Sequence, residues 1–342
     1  MNVRTLMKLF IAFLAIIVMV LAVIVLNPRA AAAAAPTTVQ YIVIPHPDDE
    51  WQAWSQIEND PTTFKVFILM TNGEQSSYCA NYGGKWSLTC ETKRLDSWTG
   101  FFTQMSKSDP TIPGQLGAKY ATRAFPANGV TICRDDATPC ARSVRAAVVQ
   151  NDAQNRGALM SFNLGDGDLT EPEVDWAIDT VLANKAEFGI PNLPVKNMVA
   201  SFANTSDPCV KYTHPDHRNV HLALYYRTYP VPAQMGATCD TPNSGMHFTD
   251  QVSEKSMDAA WAAGSGAFHV NYGWLGGYAL DRYAQTSSIF MGKQSFWVKT
   301  PGAVAAPAPA PAPVAKSTLT VATSDLSAAE AALKAAGLSY TK

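Results

Sequence analysis

Two short clusters of histidine and aspartate stand out because their side chains could bind a metal ion. The first is His46-Pro47-Asp48-Asp49, and the second, much later in the chain, is His214-Pro215-Asp216-His217. A hydrolytic zinc ion takes three ligands of these types and leaves a fourth position for water. Each cluster alone could instead be a polar turn or a helix cap. Four of the six histidines lie in or beside the two clusters, which favours one shared metal site.

Each cluster follows a stretch of sequence that predicts a buried β-strand. Residues 39–44 (VQYIVI) precede the first cluster, residues 65–70 (KVFILM) predict a second strand, and residues 195–202 (VKNMVASF) precede the second cluster. Continuous apolar runs rich in β-branched residues are typical of parallel strands buried on both faces. A helix-compatible segment between the first two runs predicts a βαβ unit.

These elements predict an α/β fold with a Rossmann-like, mostly parallel sheet and helices on both faces. We expect this domain to occupy residues 36–300. The carboxyl ends of parallel strands meet at one edge of such a sheet, and ligands bind there. The functional site is therefore expected at the carboxyl ends of the strands.

Three motifs resemble, in this order, those of the LmbE/PIG-L family of zinc-dependent deacetylases: PHPDDE after the first strand, TNGE after the second, and YTHPDH later. The resemblance covers about residues 37–230, whereas residues 231–300 match nothing that we can assign. It implies a hydrolase that removes the N-acetyl group from an N-acetylglucosamine-type sugar, glycan or glycoconjugate. It also implies that His46, Asp49 and His217 bind Zn²⁺.

The resemblance implies further roles for residues around the metal. Asp48 falls on the general base, His214 on the residue that polarises the reacting carbonyl, and Asp216 on a residue that orients a histidine. Tyr212 matches a tyrosine that contacts substrate in some members, although it could equally be a packing residue. Arg94 lies where the family often carries a substrate-facing arginine, and a surface ion pair is the alternative.

Two other functions are compatible with parts of this pattern. A zinc amidase acting on another N-acyl conjugate would use the same ligands and the same base. A non-catalytic module that binds cell wall or glycan is the third candidate, but such a module needs no general base like Asp48. We therefore favour hydrolysis of an N-acetylated sugar.

The beginning of the chain predicts export. Arg4 and Lys8 precede an uninterrupted apolar run at residues 9–26, and small residues follow up to residue 35. This order is typical of an export signal, so we expect residues 1–35 to be removed and the protein to be secreted or held at the cell surface. Because about eighteen apolar residues can just span a bilayer, an uncleaved membrane anchor is the alternative.

The six cysteines predict disulfides, since an even number in an exported chain is typical of them. Pairing of sequence neighbours is one of about fifteen possible connectivities. It would join Cys79 to Cys90, Cys133 to Cys140, and Cys209 to Cys239. We expect the cysteine-bearing insertions at residues 77–90 and 133–140 to border the cleft and influence the choice of substrate.

Composition limits the partners and the domain organisation. The formal net charge is −2, and no cluster of lysine and arginine predicts a nucleic-acid surface. Residues 301–316 alternate alanine and proline, which predicts an extended linker or a stalk that crosses a cell wall. Residues 317–342 predict a short β-α segment of unknown role.

Three polar or aromatic residues outside these motifs receive no catalytic role from the sequence. Asp166 lies in a glycine-rich loop expected near the site, without the full pattern of a calcium loop. Trp274 could stack on a sugar or pack in the core. His221 stands one helical turn after His217 and is interpreted as a packing histidine rather than a ligand.

Overall fold

A computed structural model of the protein describes residues 35–132, 144–201, 214–238, 246–277 and 292–300. This part of the chain has a mixed α/β fold with a large, mostly parallel sheet, as the sequence predicts. The strands run over Thr38–Ile44 (β1), Thr63–Leu69 (β2), Tyr120–Ala121 (β3), Phe125–Pro126 (β4), Val144–Arg145 (β5), Val148–Asn151 (β6), Gly157–Ser161 (β7), Val195–Ala200 (β8), Gln234–Thr238 (β9), Met246–Gln251 (β10) and Lys293–Lys299 (β11).

Nine of these strands form one sheet in the order β10-β11-β9-β8-β1-β2-β7-β6-β3. The five central strands, β9 to β7 in this order, are parallel to one another. The two strands at each side pair in antiparallel fashion. β4 and β5 form a separate antiparallel pair. The strands that precede the two histidine clusters, β1 and β8, are therefore direct neighbours at the centre of the sheet.

Five α-helices and three 3-10 helices accompany the strands in the part of the chain that the structure describes. The α-helices span Leu88–Ser108 (α1), Glu171–Ala183 (α2), Pro215–Tyr226 (α3), Glu254–Gly264 (α4) and His269–Gly277 (α5). The 3-10 helices span Asp49–Gln56, Ser77–Asn81 and Lys185–Phe188. The connection between β1 and β2 thus contains a 3-10 helix of eight residues, where the sequence predicts a helix-compatible segment without specifying its type.

Helices cover both faces of the sheet because the side chains of the central strands alternate between two apolar clusters. Tyr41 and Val43 of β1 belong to a cluster that also contains residues of α2 and α3. Ile42 and Ile44 belong to a second cluster, with residues of α1, α4 and α5. Residues two apart in a strand lie on the same face, so the continuous apolar run of β1 serves both layers.

Several predictions fall on residues outside the described ranges. They concern the apolar run at residues 9–26, the linker at residues 301–316, the segment at residues 317–342, and Tyr212. The same holds for the two predicted disulfides that involve Cys133, Cys140, Cys209 and Cys239. Within the described ranges, no helix is both long and apolar enough to cross a membrane.

Candidate metal site and active centre

The site is assembled from the ends of neighbouring strands and the start of one helix. His46 lies two residues beyond the end of β1, and the Pro45 carbonyl accepts hydrogen bonds from the Thr71 N–H and hydroxyl, both at 3.0 Å. The loops after β1 and β2 are therefore joined directly. His214 caps the N-terminus of α3, where its Nδ1 accepts from the Asp216 N–H at 3.4 Å. The first turn of α3 then presents Asp216 and His217 to the same space.

Three side-chain atoms converge on one point at this place. His46 Nδ1 lies 3.0 Å from Asp49 Oδ2 and 2.9 Å from His217 Nε2, and His217 Nε2 lies 3.1 Å from Asp49 Oδ2. Hydrogen bonds cannot join all three pairs, because each ring nitrogen directs a single proton or lone pair. Tetrahedral zinc separates its nitrogen and oxygen ligands by about 3.3 Å. The three atoms thus have donor types and a spacing that could hold a metal ion.

Three further residues extend the group that could hold a metal, namely His214, Asp166 and Asp216. His46, His214 and His217 form one group of possible ligands, and His46, Asp166, His214 and Asp216 form another. The ring centroids of His46 and His214 are 4.6 Å apart, and those of His214 and His217 are 5.0 Å apart. The buried cluster therefore has capacity for a metal ion, with His214 and Asp166 directly beside the predicted ligands.

The second ring nitrogen of His46 faces carboxylates. His46 Nε2 lies 3.0 Å from Asp216 Oδ2 and 3.1 Å from Asp166 Oδ1. Asp216 is fully buried and also accepts the backbone N–H groups of Gly167 and Leu169 at 2.8 and 3.2 Å. A proton on His46 Nε2 is donated to Asp216 Oδ2 and leaves the Nδ1 lone pair directed at the point where the three atoms converge. This is the contact that the predicted orienting role of Asp216 requires.

Burial and charge shift the pKa values of the surrounding groups in opposite directions. Burial lowers the pKa of His46, but the nearby Asp166 carboxylate and two further carboxylates outweigh it and raise that pKa well above 6.5. Burial lowers the pKa of His214 to about 4, with repulsion from His46 and His217 acting in the same direction. His214 is therefore a neutral imidazole at pH 7, able to donate one hydrogen bond.

Asp48 differs from its neighbours in backbone and in environment. Its φ of 148° lies in a region that residues other than glycine rarely adopt, and such strain persists only where the surrounding structure imposes it. Burial and repulsion from Asp49 raise the pKa of its carboxyl well above the usual range, and Arg94 offsets part of this rise. The carboxyl accepts a hydrogen bond from Trp274 Nε1 at 3.1 Å.

Arg94 is buried in α1 and is only 3 % exposed, so the alternative of a surface ion pair is wrong. Its Nε donates to the Asn72 carbonyl at 3.2 Å, and its Nη1 donates to the Val270 carbonyl at 3.3 Å. Its Nη2 lies 3.9 Å from Asp48. Gly73, in the TNGE motif, has a φ of +68°, and a Cβ there would lie 2.3 Å from Arg94 Nη2. The guanidinium thus occupies the space that the glycine leaves open.

A cavity of about 600 Å³ opens over these groups. Its lining includes six residues that the sequence singles out, namely His46, Asp48, Asp49, Arg94, His214 and His217. It also includes Gln52, Gly73, Gln75, Ser76, Ser77, Tyr78, Asp166 and Trp274. A larger cavity of about 710 Å³ lies elsewhere, against α2, and contains none of the predicted site residues. The chemistry of the lining, rather than size, identifies the first cavity as the candidate site.

The loop that borders this cavity is fixed by a disulfide. Cys79 and Cys90 are bonded, which confirms this part of the predicted pairing and is consistent with an extracellular protein. The backbone N–H of Gln75 donates to Asp166 Oδ2 at 2.6 Å, which joins the loop to the candidate metal site. Since Ser77 and Tyr78 line the cavity, the insertion at residues 77–90 does border it, as the sequence predicts.

Several lining residues were not assigned to the site from the sequence, among them Asp166, Gln52 and Trp274. Asp166 contacts His46, and its glycine-rich loop was the only signal that pointed to it. Gln52 lies one turn after Asp49 and carried no signal. Trp274 lies in the region without an assigned motif. His221 is buried, and its ring packs against Tyr225 and Trp297, as expected of a packing histidine.

No protein-family model matches the chain, and a search of the curated proteins finds no match either. The similarity to the LmbE/PIG-L family therefore remains a prediction from the three sequence motifs.

Proposed function

We propose that the chain is an exported, zinc-dependent hydrolase of the LmbE/PIG-L type. Its reaction would be the removal of the N-acetyl group from an N-acetylglucosamine-type sugar or glycoconjugate. The observation that carries the proposal is the convergence of His46, Asp49 and His217 atoms within 3.1 Å, with Asp48 beside them in the same open cavity. In this proposal the sheet is Rossmann-like and the site occupies the carboxyl ends of its strands.

The donor set supports zinc as the resident metal. Two imidazoles and one carboxylate are a ligand combination of catalytic zinc in hydrolases, and all three residues line the cavity. When bound, zinc would supply a Lewis acid that lowers the pKa of water and polarises a carbonyl. Asp216 supports the ligand set by holding the other nitrogen of His46.

The remaining groups supply the proton transfers that amide hydrolysis needs. Asp48 would take a proton from the attacking water as the water oxygen bonds to the acyl carbon. The neutral His214 would donate a hydrogen bond to the acyl oxygen, which gains negative charge in the transition state. As the C–N bond breaks, the protonated Asp48 returns this proton to the departing nitrogen. The products are acetate and the free amine.

The proposed role of Asp48 also separates this function from that of a binding module. A strained backbone at a carboxylate with a raised pKa fits a general base and has no purpose in passive glycan binding. An amidase acting on another N-acyl conjugate would use the same groups, so the amidase is distinguished only by its substrate.

The experiment compares metal content and acetate release in the full, disulfide-bonded chain. N-acetylglucosamine oligomers, N-acetylated glycoconjugates and unrelated N-acyl amides would be offered to the wild type and to Asp48→Asn. We expect zinc in both proteins, acetate release by the wild type, and a loss of about 100-fold or more in Asp48→Asn. Asp96→Asn, at an exposed ion pair on α1, is the control and should retain full activity.

Two outcomes would overturn the proposal. One is a wild-type protein that binds no zinc, and the other is an Asp48→Asn variant that hydrolyses the substrate at the original rate. If the protein releases the acid from N-acyl amides but from no N-acetyl sugar, the amidase takes the place of the deacetylase as the proposed function.

A further inference from the structure

Trp274 makes a polar contact with the proposed general base. Its Nε1 donates to Asp48 Oδ2 at 3.1 Å, and its side chain is half-buried at the wall of the cavity. Arg94 Nη2 lies farther from this carboxylate, at 3.9 Å from the other oxygen, Oδ1. The indole is therefore the nearest side-chain donor that the described residues direct at Asp48.

The helix that carries Trp274 is attached to the site by its own side chains. Asn271 Nδ2 donates to the Arg94 carbonyl at 2.7 Å. The Tyr272 hydroxyl donates to Glu50, the residue that follows the pair Asp48-Asp49. Two consecutive residues of α5 thus bind elements that carry site residues, before the chain reaches Trp274.

Aromatic packing strengthens this attachment. The Tyr272 ring stacks on Phe101 of α1 with centroids 3.8 Å apart, and Tyr272 is fully buried. Trp98, also on α1, donates its Nε1 to the second oxygen of Glu50 at 3.2 Å. Glu50 is itself fully buried, so it links α5, α1 and the 3-10 helix after β1 in one polar contact group. Such a group fixes where the indole N–H of Trp274 points.

An indole suits the task of holding a base because it donates a hydrogen bond and cannot accept a proton. It fixes one carboxylate oxygen, Oδ2, and leaves Oδ1 as the oxygen that can receive the proton from water. A lysine or arginine in direct contact would bind the carboxylate far more strongly and oppose its protonation. The strained backbone of Asp48 adds to the need for a partner, since the side chain must be held in a conformation that the backbone does not favour.

We propose that Trp274 is the positioning residue of the general base: α5 holds its indole N–H against Asp48 Oδ2 and thereby directs the free oxygen toward the reacting water. This inference rests on the proposed function of Asp48. It gives a role to a helix in residues 231–300, the region for which the sequence supplies no assignable motif.

The kinetic test uses Trp274→Phe, which keeps an aromatic ring and removes the N–H. A hydrogen bond to a charged acceptor corresponds to a loss of about 10-fold to 100-fold in kcat when its donor is removed. We expect this loss with KM within about twofold of the wild type and an unchanged zinc content. Trp261→Phe, on the neighbouring helix α4 at an exposed position, is the matched control and should change neither constant.

Two kinetic results would contradict the inference. If kcat of Trp274→Phe stays within about twofold of the wild type, the N–H does not position the base. If the loss lies in KM alone, Trp274 serves substrate binding instead.

A spectroscopic test does not depend on activity. In ¹H–¹⁵N spectra, the Trp274 indole resonance is the one that disappears in Trp274→Phe. We expect it to move and to exchange faster with solvent in Asp48→Ala, and to move less in Asp48→Asn, which keeps an acceptor oxygen. An indole resonance that is unchanged in Asp48→Ala would overturn the inference, even if the wild type hydrolyses no amide and the proposed function has failed separately.

Discussion

At the scale of single residues, the two nitrogens of His46 have different tasks. Nδ1 faces Asp49 and His217 at the proposed metal position, while Nε2 faces the buried Asp216. An imidazole held by a carboxylate keeps its tautomer and its orientation, and it is a better ligand for that reason. The quality of the metal site therefore depends on a residue that does not itself bind the metal in our proposal.

Replacing Asp216 by asparagine tests this dependence. We expect Asp216→Asn to weaken zinc binding by roughly 10-fold to 100-fold, because a neutral amide holds the His46 Nε2 proton less strongly. Competition with a chromophoric chelator would measure the affinity. Asp96→Asn again serves as the control. If Asp216→Asn binds zinc as tightly as the wild type does, the contact with Asp216 does not strengthen His46 as a ligand.

Gly73 allows a second test at this scale. In Gly73→Ala the new Cβ would meet the Arg94 guanidinium at 2.3 Å, in addition to the strain of a positive φ. Gly84→Ala is the matched control, because Gly84 has a φ of +91° and nothing within 4 Å of an added Cβ. We expect Gly73→Ala to be less stable than Gly84→Ala by about 1–3 kcal/mol in urea unfolding, and to be the only one of the two with a raised KM. Equal stability and equal KM of the two variants would contradict a role of Arg94 in contacting the substrate.

Residue types and spacing were sufficient to single out the atoms that converge, but not all of their neighbours. His46, Asp49 and His217 belong to two compact motifs, so the sequence shows them as groups. Asp166 and Trp274 reach the site through loops and packing far from those motifs. Such contacts depend on tertiary structure, which short-range pattern does not specify.

At the scale of elements, the tight turn between β1 and the 3-10 helix explains how one short motif presents two ligands. The Asp49 N–H donates to the His46 carbonyl at 3.2 Å, a bond between residues three apart. Asp48, inside this turn, has a φ of 148°, so the turn is not helical, and it brings His46 Nδ1 within 3.0 Å of Asp49 Oδ2. The apolar runs predicted β1, β2 and β8 correctly, whereas the positive φ of Asp48 could not be predicted from composition, because the surrounding structure imposes it.

The disulfide at the cavity border yields a prediction about the loop. Removing it in a Cys79→Ser/Cys90→Ser double variant should reduce the free energy of unfolding by roughly 2–3 kcal/mol, because an unfolded chain without the bond gains conformational freedom. We also expect a higher KM with unchanged zinc content, since the loop lines the cavity and none of the proposed ligands belongs to the loop. Urea unfolding, steady-state kinetics and metal analysis measure these effects, and an unchanged KM would show that the loop does not contact substrate.

Lys65 in β2 provides a pH prediction far from the proposed metal. It is fully buried, and its Nζ donates to the carbonyls of Asp60 and Thr111, each at 2.7 Å. Burial lowers its pKa from 10.5 to about 8. Between these two values the unfolded chain binds more protons than the folded chain, so the folded state gains stability as the pH rises from about 8 to 10.5.

The expected gain in the free energy of unfolding between these two pH values is on the order of 3 kcal/mol. It should be absent in Lys65→Met and present in Lys119→Met, where the lysine is exposed on the surface. Urea unfolding at several pH values would measure the difference between the wild type and each variant. Parallel pH profiles for the wild type and Lys65→Met would contradict the lowered pKa.

At the scale of the whole molecule, several separate stretches of the chain together form the lining of the candidate site. Residues of the loops after β1 and β2, of α1 and of α3 surround the proposed metal, and α5 closes the side next to Asp48. The lining combines carboxylates, imidazoles, hydroxyl groups and aromatic rings, with Arg94 as its single arginine or lysine among the described residues. This composition suits an uncharged, hydroxyl-rich substrate better than a phosphorylated one.

The central claim is that His46, Asp49 and His217 bind one zinc ion. Its most direct test is the zinc content per chain, measured by mass spectrometry of the metal after purification of the full, disulfide-bonded protein. The account predicts about one zinc per chain in the wild type and nearly none in His217→Ala. His221→Ala should also bind about one zinc, because His221 is a buried histidine one turn farther along α3 that is not a proposed ligand. A wild type without zinc, or equal zinc in His217→Ala and the wild type, would contradict it.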